Sequence, residues 1–460
     1  FHLHSKPGSG NVVFLDFDGH TIEGTAWNKG KNAFVALPFD PSENDSPVSV
    51  ANFTQDELNR IFEIWHRVAE DFAPFDIDVT TEEPAVFTPT TGHVLFTHDT
   101  DANGQSMPAQ NAGGTAFVNS FGAGDYVSRY SPALVYYTNL YTSMHGSPVL
   151  NAEAASHEFG HNLGLSHDGH ADGRSYYSGH GSGLVDWSPI MGNSYTRNVT
   201  QWSQGGYPGA NNPEDDLAII ASSLGYAGDD HGDSPTQATA LLVLENGEIL
   251  VSSPELDPDN ILPENKGVID DRNDVDWFFL DAAAGELRIT ATPAWHSFPR
   301  NDLRGSNLDI ELTLFDSNLE LLDIDEPNDD TDATVLATVQ AGRYYLQVDG
   351  VGNDSNSEYD DYASMGMYFL EGMIEPAQVE VDTTPPSPAA MSWQTAPHAT
   401  ATSSISMTAV EATDESAGIE YFFSCIAGGS GCSDSGWQSN RNYQAEGLAS
   451  ETSYSYKVRA

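Results

Sequence analysis

The chain has 460 residues, and its 17 basic against 68 acidic side chains give a formal charge of −51. A charge of that size repels nucleic-acid phosphates and anionic lipid surfaces, which argues against nucleic acid as a partner. With 39% hydrophobic residues, 19 Tyr, 21 Phe and 8 Trp, the chain can build cores and is no disordered acidic polymer.

Residues 1–228 read as alternating strands and helices. "NVVFLDF" (Asn11 to Phe17) is a short apolar run of the kind a strand covered on both faces shows. In "TQDELNRIFEIWHRVAEDF", Thr54 and Glu57 form a capping box, and Leu58, Ile61, Phe62, Trp65, Val68, Ala69 and Phe72 follow at helical spacing before Pro74. "FDIDVTT", "HVLFT", "GGTAFVNSF" and "ALVYYT" are further strand candidates. Next comes a helix over "AEAASHEFGHNL", for which Asn151 is the predicted N-cap and Glu153 a first-turn acid. A late helix is predicted from Asn212 as N-cap and Pro213 as first helical residue to Gly225.

The texture changes near "GDDHGDSPTQA". Residues 229–376 hold strand-length runs divided by Gly, Asp, Asn and Pro, the pattern of a β-sandwich or jelly roll. Residues 377–388 read as a Pro-rich linker, and 389–460 as a second, incomplete β-sandwich module. Cys425 and Cys432, the only cysteines, are close enough to close a short loop and form a candidate disulfide in an exported protein. No apolar run reaches the roughly 18 residues that a membrane helix needs. The N-terminus lacks an initiator Met and a signal-peptide core, which predicts a secreted, mature chain without signal or pro-segment. Acidic turns such as "DDRNDVD" and "DEPNDDTD" are either a solvated surface or oxygen ligands for structural Ca²⁺.

The chemistry concentrates in "HEFGHNLGLSHD". His157 and His161, four apart on one helix, project their imidazoles from one face, and neutral imidazole suits a catalytic Zn²⁺. Glu158 stands beside the metal as general base and acid rather than as ligand. Gly164 can take a positive φ, end the helix and redirect the chain, so that His167 returns as the third ligand. Asp168 then fixes the turn by accepting hydrogen bonds. His170 and His180 extend the cluster within Gly-rich loops, where a fourth histidine would close the open coordination position; His145 reads as surface loop.

This signature resembles that of the metzincin metalloproteases, with the His-Asn-Leu-Gly run and trailing Asp most similar to the adamalysin/reprolysin branch. The resemblance covers residues 1–228 and implies an α/β (α+β) catalytic domain with a mixed five-stranded sheet. It implies that Met191 in "WSPIMG" lies beneath the zinc as the Met-turn residue. It also implies that Gly114, Thr115, Ala116 and Phe117 offer an edge strand to an extended substrate. "LDFDGHT", "APFDIDVTTEEP" and "GANNPEDDLA" resemble a group of secreted bacterial multidomain zinc proteases. Residues 230–375 are similar to the bacterial pre-peptidase C-terminal domain, and the last segment to a fibronectin type III-like module. The chain departs from the family in having no cysteine in the catalytic segment. It also has Asn193 where astacin and serralysin relatives place a Tyr, and Tyr195 is not taken as a ligand. The expected function is a secreted zinc endopeptidase acting on protein or glycoprotein substrates, its β-rich modules binding substrate or surface. Two alternatives stay open: an adhesin or glycan-binding protein with a vestigial protease domain, and a zinc hydrolase of a non-peptide amide.

Overall fold

A computed structural model describes residues 2–41, 53–140, 147–250, 265–294, 304–353, 359–374, 385–414 and 418–460. His145 and most of the Pro-rich linker lie outside them. Contacts divide the chain into two units, Phe1–Ala377 and Gln378–Ala460.

The first unit begins with strands β1 (Val12–Asp16), β2 (Thr21–Ile22) and β3 (Phe34–Val35), then helix α1 (Gln55–Asp71). Strands β4 (Asp78–Thr80), β5 (Thr91–Thr97), β6 (Gly114–Thr115) and β7 (Ala133–Tyr136) follow, then helix α2 (Pro148–Leu163). A five-stranded sheet has the order β4-β1-β5-β7-β6. Its first four strands are parallel, and β6 runs antiparallel at the edge, with Gly114 opposite Val135 and Thr115 opposite Leu134. The alternation of side chains explains why these strands read as continuous apolar runs. Val13, Leu15, Val94, Phe96 and Val135 pack under α1 and α2, whereas Leu95, Leu134 and Tyr136 pack with Ile22, Phe34 and Met107 on the other face.

Thr54 caps α1 through the complete box, its Oγ1 accepting from Glu57 N–H while Glu57 accepts from Thr54 N–H. The predicted start of α2 needs correction. Ser147 is its N-cap and Pro148 its first residue, so Asn151 sits inside the helix and donates from Nδ2 to Ser147 O at 2.9 Å. Glu153 is consequently not a first-turn acid but a buried group that accepts from the hydroxyls of Ser194 and Thr200. Strands β8 (Trp187–Pro189) and β9 (Val199–Gln201) pair in parallel below the helix, and α3 spans Asp216–Leu224. Its N-cap is Asp215, accepting from Ala218 N–H, rather than Asn212, whose side chain instead turns the chain by accepting from Glu214 N–H.

Two sheets follow. One has the order β10 (Thr239–Ala240), β13 (Val275–Ala282), β18 (Gly342–Gly350), β15 (Ile310–Asp316), β16 (Leu321–Asp325). The other has the order β11 (Glu248–Ile249), β19 (Gly366–Met373), β14 (Gly285–Pro293), β17 (Ala333–Val339), with β12 (Lys266–Ile269) also on β19. Their inner residues, among them Leu280, Ile289, Leu312 and Leu346, belong to the same contiguous core as the helices. Polar contacts reinforce it: the fully buried Glu70 of α1 accepts from Met367 N–H, and Asp71 accepts from Asn307 Nδ2 at 3.0 Å.

The second unit holds two three-stranded sheets, β20 (Trp393–Ala401) with β21 (Ser404–Ala409) and β24 (Asn442–Ala445), and β23 (Trp437–Gln438) with β22 (Tyr421–Ala427) and β25 (Ser455–Arg459). Cys425 and Cys432 are bonded.

Candidate metal centre

Helix α2 carries His157, Glu158 and His161 past the edge strand. At its end Gly164 has φ +120, and its N–H donates to Gly160 O and His161 O. That conformation turns the chain back, and His167 comes to face the helix. The three imidazoles converge, one nitrogen from each lying within 4.8 Å of the others. His157 Nδ1 lies 2.9 Å from Ile190 O and His161 Nδ1 lies 2.8 Å from Leu165 O. Carbonyl oxygens only accept, so each Nδ1 carries the hydrogen and each Nε2 a bare lone pair. His161 Nε2 and His167 Nε2 are 2.9 Å apart. With its hydrogen on Nε2, His167 donates to His161 Nε2, and a cation held by the three rings would take that hydrogen's place. Burial, reinforced by the neighbouring imidazoles, pushes His157 down to about 3 and His167 to about 4, so both are neutral near pH 7, as a metal ligand must be. The donor set and its hydrogen-bonded carbonyls fit Zn²⁺.

Glu158 is buried, and its Oε2 has no hydrogen-bond partner among the described residues. Burial pushes its carboxyl up to about 8. It lies directly against β6: a methyl on Gly114 would sit 2.7 Å from its Cγ and Oε1. The edge-strand expectation narrows here to Gly114 and Thr115. Ala116 and Phe117 lie beyond β6, and the Phe117 carbonyl is taken by Asn162 Nδ2 at 3.0 Å and Ser120 Oγ at 2.9 Å.

Met191 is fully buried under α2. Its Sδ would meet a methyl on Gly160 at 2.8 Å, so the residue just before His161 is kept side-chain-free by the sulfur below it. Met191 O also accepts from Asp168 N–H at 2.8 Å, which ties the turn carrying His167 to the segment under the two helical histidines. Asp168 Oδ1 accepts from Tyr207 at 3.4 Å while Oδ2 has no partner among the described residues, and burial raises this carboxyl to about 7. His170 and His180 stand outside the triad, the first 3.0 Å from Asp172 and the second 2.9 Å from the Tyr177 hydroxyl.

Tyr176, Gly160 and the carbonyls of Leu165 and Ile190 were not anticipated from sequence. The Tyr176 ring packs 4.4 Å from His167 and 6.1 Å from His157, centroid to centroid, and forms a half-exposed wall of the site. An aromatic pair in a Gly-rich loop carries no local signal of that place.

Residues 90–168 match the model of the reprolysin-like metallopeptidases of family M12B. The matched span runs from the residue before β5 to Asp168, and so contains the edge strand, the helix and the whole triad. The M12B match supports zinc-dependent peptidase activity. Among solved structures, the pre-peptidase C-terminal domain of a collagenase from Bacillus anthracis aligns at 16% identity over 30% of this chain and 97% of its own, with a TM-score of 0.18. A protein from Eubacterium rectale aligns at 10% identity over 50% of this chain and 73% of its own, with a TM-score of 0.19. No curated protein matches the chain.

A second group of donors lies between the segment after α3 and β13, where oxygens of Asp229, Asp230 and Asp276 come within 4.8 Å of one another. Asp276 is fully buried; its Oδ2 accepts from Tyr368 at 2.6 Å, and its Oδ1 has no partner among the described residues. Burial, then the charges of Asp230 and Asp274, pushes Asp276 up to about 9.

Proposed function

We propose that the chain is a secreted zinc endopeptidase of the metzincin kind that hydrolyses peptide bonds of extracellular proteins. The observation that carries this reading is the convergence of three imidazole nitrogens next to a buried carboxyl, one oxygen of which has no partner among the described residues and which touches a sheet edge. His157, His161 and His167 would hold Zn²⁺, which supplies a Lewis acid for water and for the scissile carbonyl. The unpaired side of β6 offers backbone groups to an extended peptide, which adds as a further strand and passes its carbonyl over the triad. Because Glu158 lies against Gly114, a peptide paired there brings its scissile bond next to that carboxylate. Held ionised against its burial by the charge of the cation the triad would bind, Glu158 takes the proton from the attacking water as the carbon–oxygen bond forms and returns it to the amine nitrogen as the carbon–nitrogen bond breaks. Leu165 O and Ile190 O hold the imidazole orientation throughout. The edge strand favours a peptide over a small amide, and an intact Glu158 distinguishes the site from a vestigial one.

Glu158→Gln is expected to keep its zinc and to lose about 10²–10⁴-fold in kcat on an unfolded protein substrate. Full activity in that variant, with unchanged zinc content, overturns the mechanism.

The Asp276 oxygen favours a second assignment: Asp229, Asp230 and Asp276 bind structural Ca²⁺. Removing Ca²⁺ by chelation, with Zn²⁺ replenished, is expected to lower the melting temperature, and Asp276→Asn to abolish that difference. Identical melting with and without Ca²⁺ rejects the assignment.

A further inference from the structure

The motif "LDFDGHT" at the end of β1 takes no part in the triad, yet it brings a second set of metal-binding side chains together. Asp16 is the last residue of β1, and His93 lies on the neighbouring β5, opposite Phe14 in register. Side chains two apart on a strand share a face, so Asp16 and His93 project on the same side of the sheet, the one away from the helices. Both are buried, and His93 Nε2 lies 2.8 Å from Asp16 Oδ2. His20 returns to them because Gly19 turns at φ +87, where any side chain would meet Ala36 O at 2.8 Å. The His20 ring then stands perpendicular to that of His93 at 4.9 Å, with its Nδ1 3.9 Å from Asp16 Oδ2. One donor atom from each of the three lies within 4.8 Å of the others. From these contacts we infer that Asp16, His20 and His93 form a second metal site, separate from the triad, for a zinc-class divalent cation.

Two imidazoles and one carboxylate select a borderline first-row ion over Ca²⁺, which prefers all-oxygen ligands. The observed separations bracket the roughly 3.4 Å between neighbouring donors of a tetrahedral ion with bonds of about 2.0–2.1 Å. The charges that bear most on Asp16, Asp18, His20 and His93 are one another and Glu83, three carboxylates around two imidazoles. Asp18 and Glu83 also line an open cavity of about 290 Å³. The ion would join the end of β1, the Gly19 turn and β5, fastening the sheet on the face opposite α2.

Zinc bound per full-length chain, measured after stripping and reloading with Zn²⁺ in excess Ca²⁺, tests this. Wild type is expected to hold about two equivalents, His161→Ala about one, and His161→Ala with His20→Ala none. His20→Ala leaves the buried Asp16–His93 contact in place, so its metal-free melting temperature should equal that of its parent. Added Zn²⁺ should raise the melting temperature of His161→Ala and leave that of the double variant unmoved. If the double variant binds as much zinc as His161→Ala, or His161→Ala binds none, Asp16 and His93 are a hydrogen-bonded pair only and the inference fails. Failure of the triad reading gives a different pattern: one equivalent in wild type, kept by His161→Ala and lost by His20→Ala alone.

Discussion

Gly160 shows how one atom can decide a site. In a helix interior Ala is favoured over Gly by about 1 kcal/mol, so Gly160→Ala ought to stabilise α2. Against that stands Met191 Sδ, 2.8 Å from where the new methyl would lie, with Leu165 and Trp202 at 3.3 and 3.4 Å. Overpacking of a buried contact costs about 1–3 kcal/mol, so the clash outweighs the propensity gain. The variant is expected to unfold at lower urea and to hold zinc more weakly, since α2 or Met191 must move and both border the ligands. A variant more stable than wild type with unchanged zinc affinity would show that the sulfur does not constrain the helix. The histidines themselves were legible because their spacing is local. Their carbonyl partners were not, since Ile190 is brought to His157 by packing alone.

At the scale of the elements, the clearest consequence lies where β15 begins. Asp309 is buried, accepts from the Tyr359 hydroxyl at 2.6 Å and has no partner for Oδ1 among the described residues. Burial, aided by the charges of Glu326 and Asp330, raises its carboxyl to about 7. The folded state therefore binds a proton more tightly than the unfolded chain. Its contribution is fully present below about pH 4 and is lost as pH rises towards 7, by about 1.4 kcal/mol per pH unit within that window. Asp309→Asn should remove that slope, read as the difference between the two proteins in urea unfolding at successive pH values. Equal slopes would place the proton elsewhere. Element boundaries were less legible than elements. The Thr54–Glu57 box is a local pattern and predicts the start of α1, whereas α2 begins at Pro148 and α3 at Asp216, since several Asn, Asp and Ser residues compete for each cap and tertiary contacts choose among them.

For the whole molecule, the change of texture near residue 228 does not interrupt the packing. The core is continuous from the helices into the following sheets, and α1 presents two buried carboxylates to them, Glu70 to Met367 N–H and Asp71 to Asn307. A chain ended at residue 228 would strip Glu70 of the Met367 N–H and leave Asp71 with the Ser156 hydroxyl but without Asn307, beside bared apolar surface, a costly state in any solvent. It is expected to be insoluble or zinc-free, whereas residues 1–377 should fold and bind zinc. A soluble 1–228 fragment with full zinc content would show the following sheets to be dispensable for the site.

The sequence by itself determined which three histidines and which glutamate stand together, the helix that bears them and the order of strand-rich segments, because spacing along a helix and alternation along a strand are local properties of the chain. Tertiary structure alone decided which oxygens hold the imidazoles, why Gly160 and Gly114 lack side chains, and that Asp16 and His20 meet His93. Those contacts join residues far apart in the chain, and only the closing of the sheet and the docking of α2 against it bring them within a hydrogen bond's length.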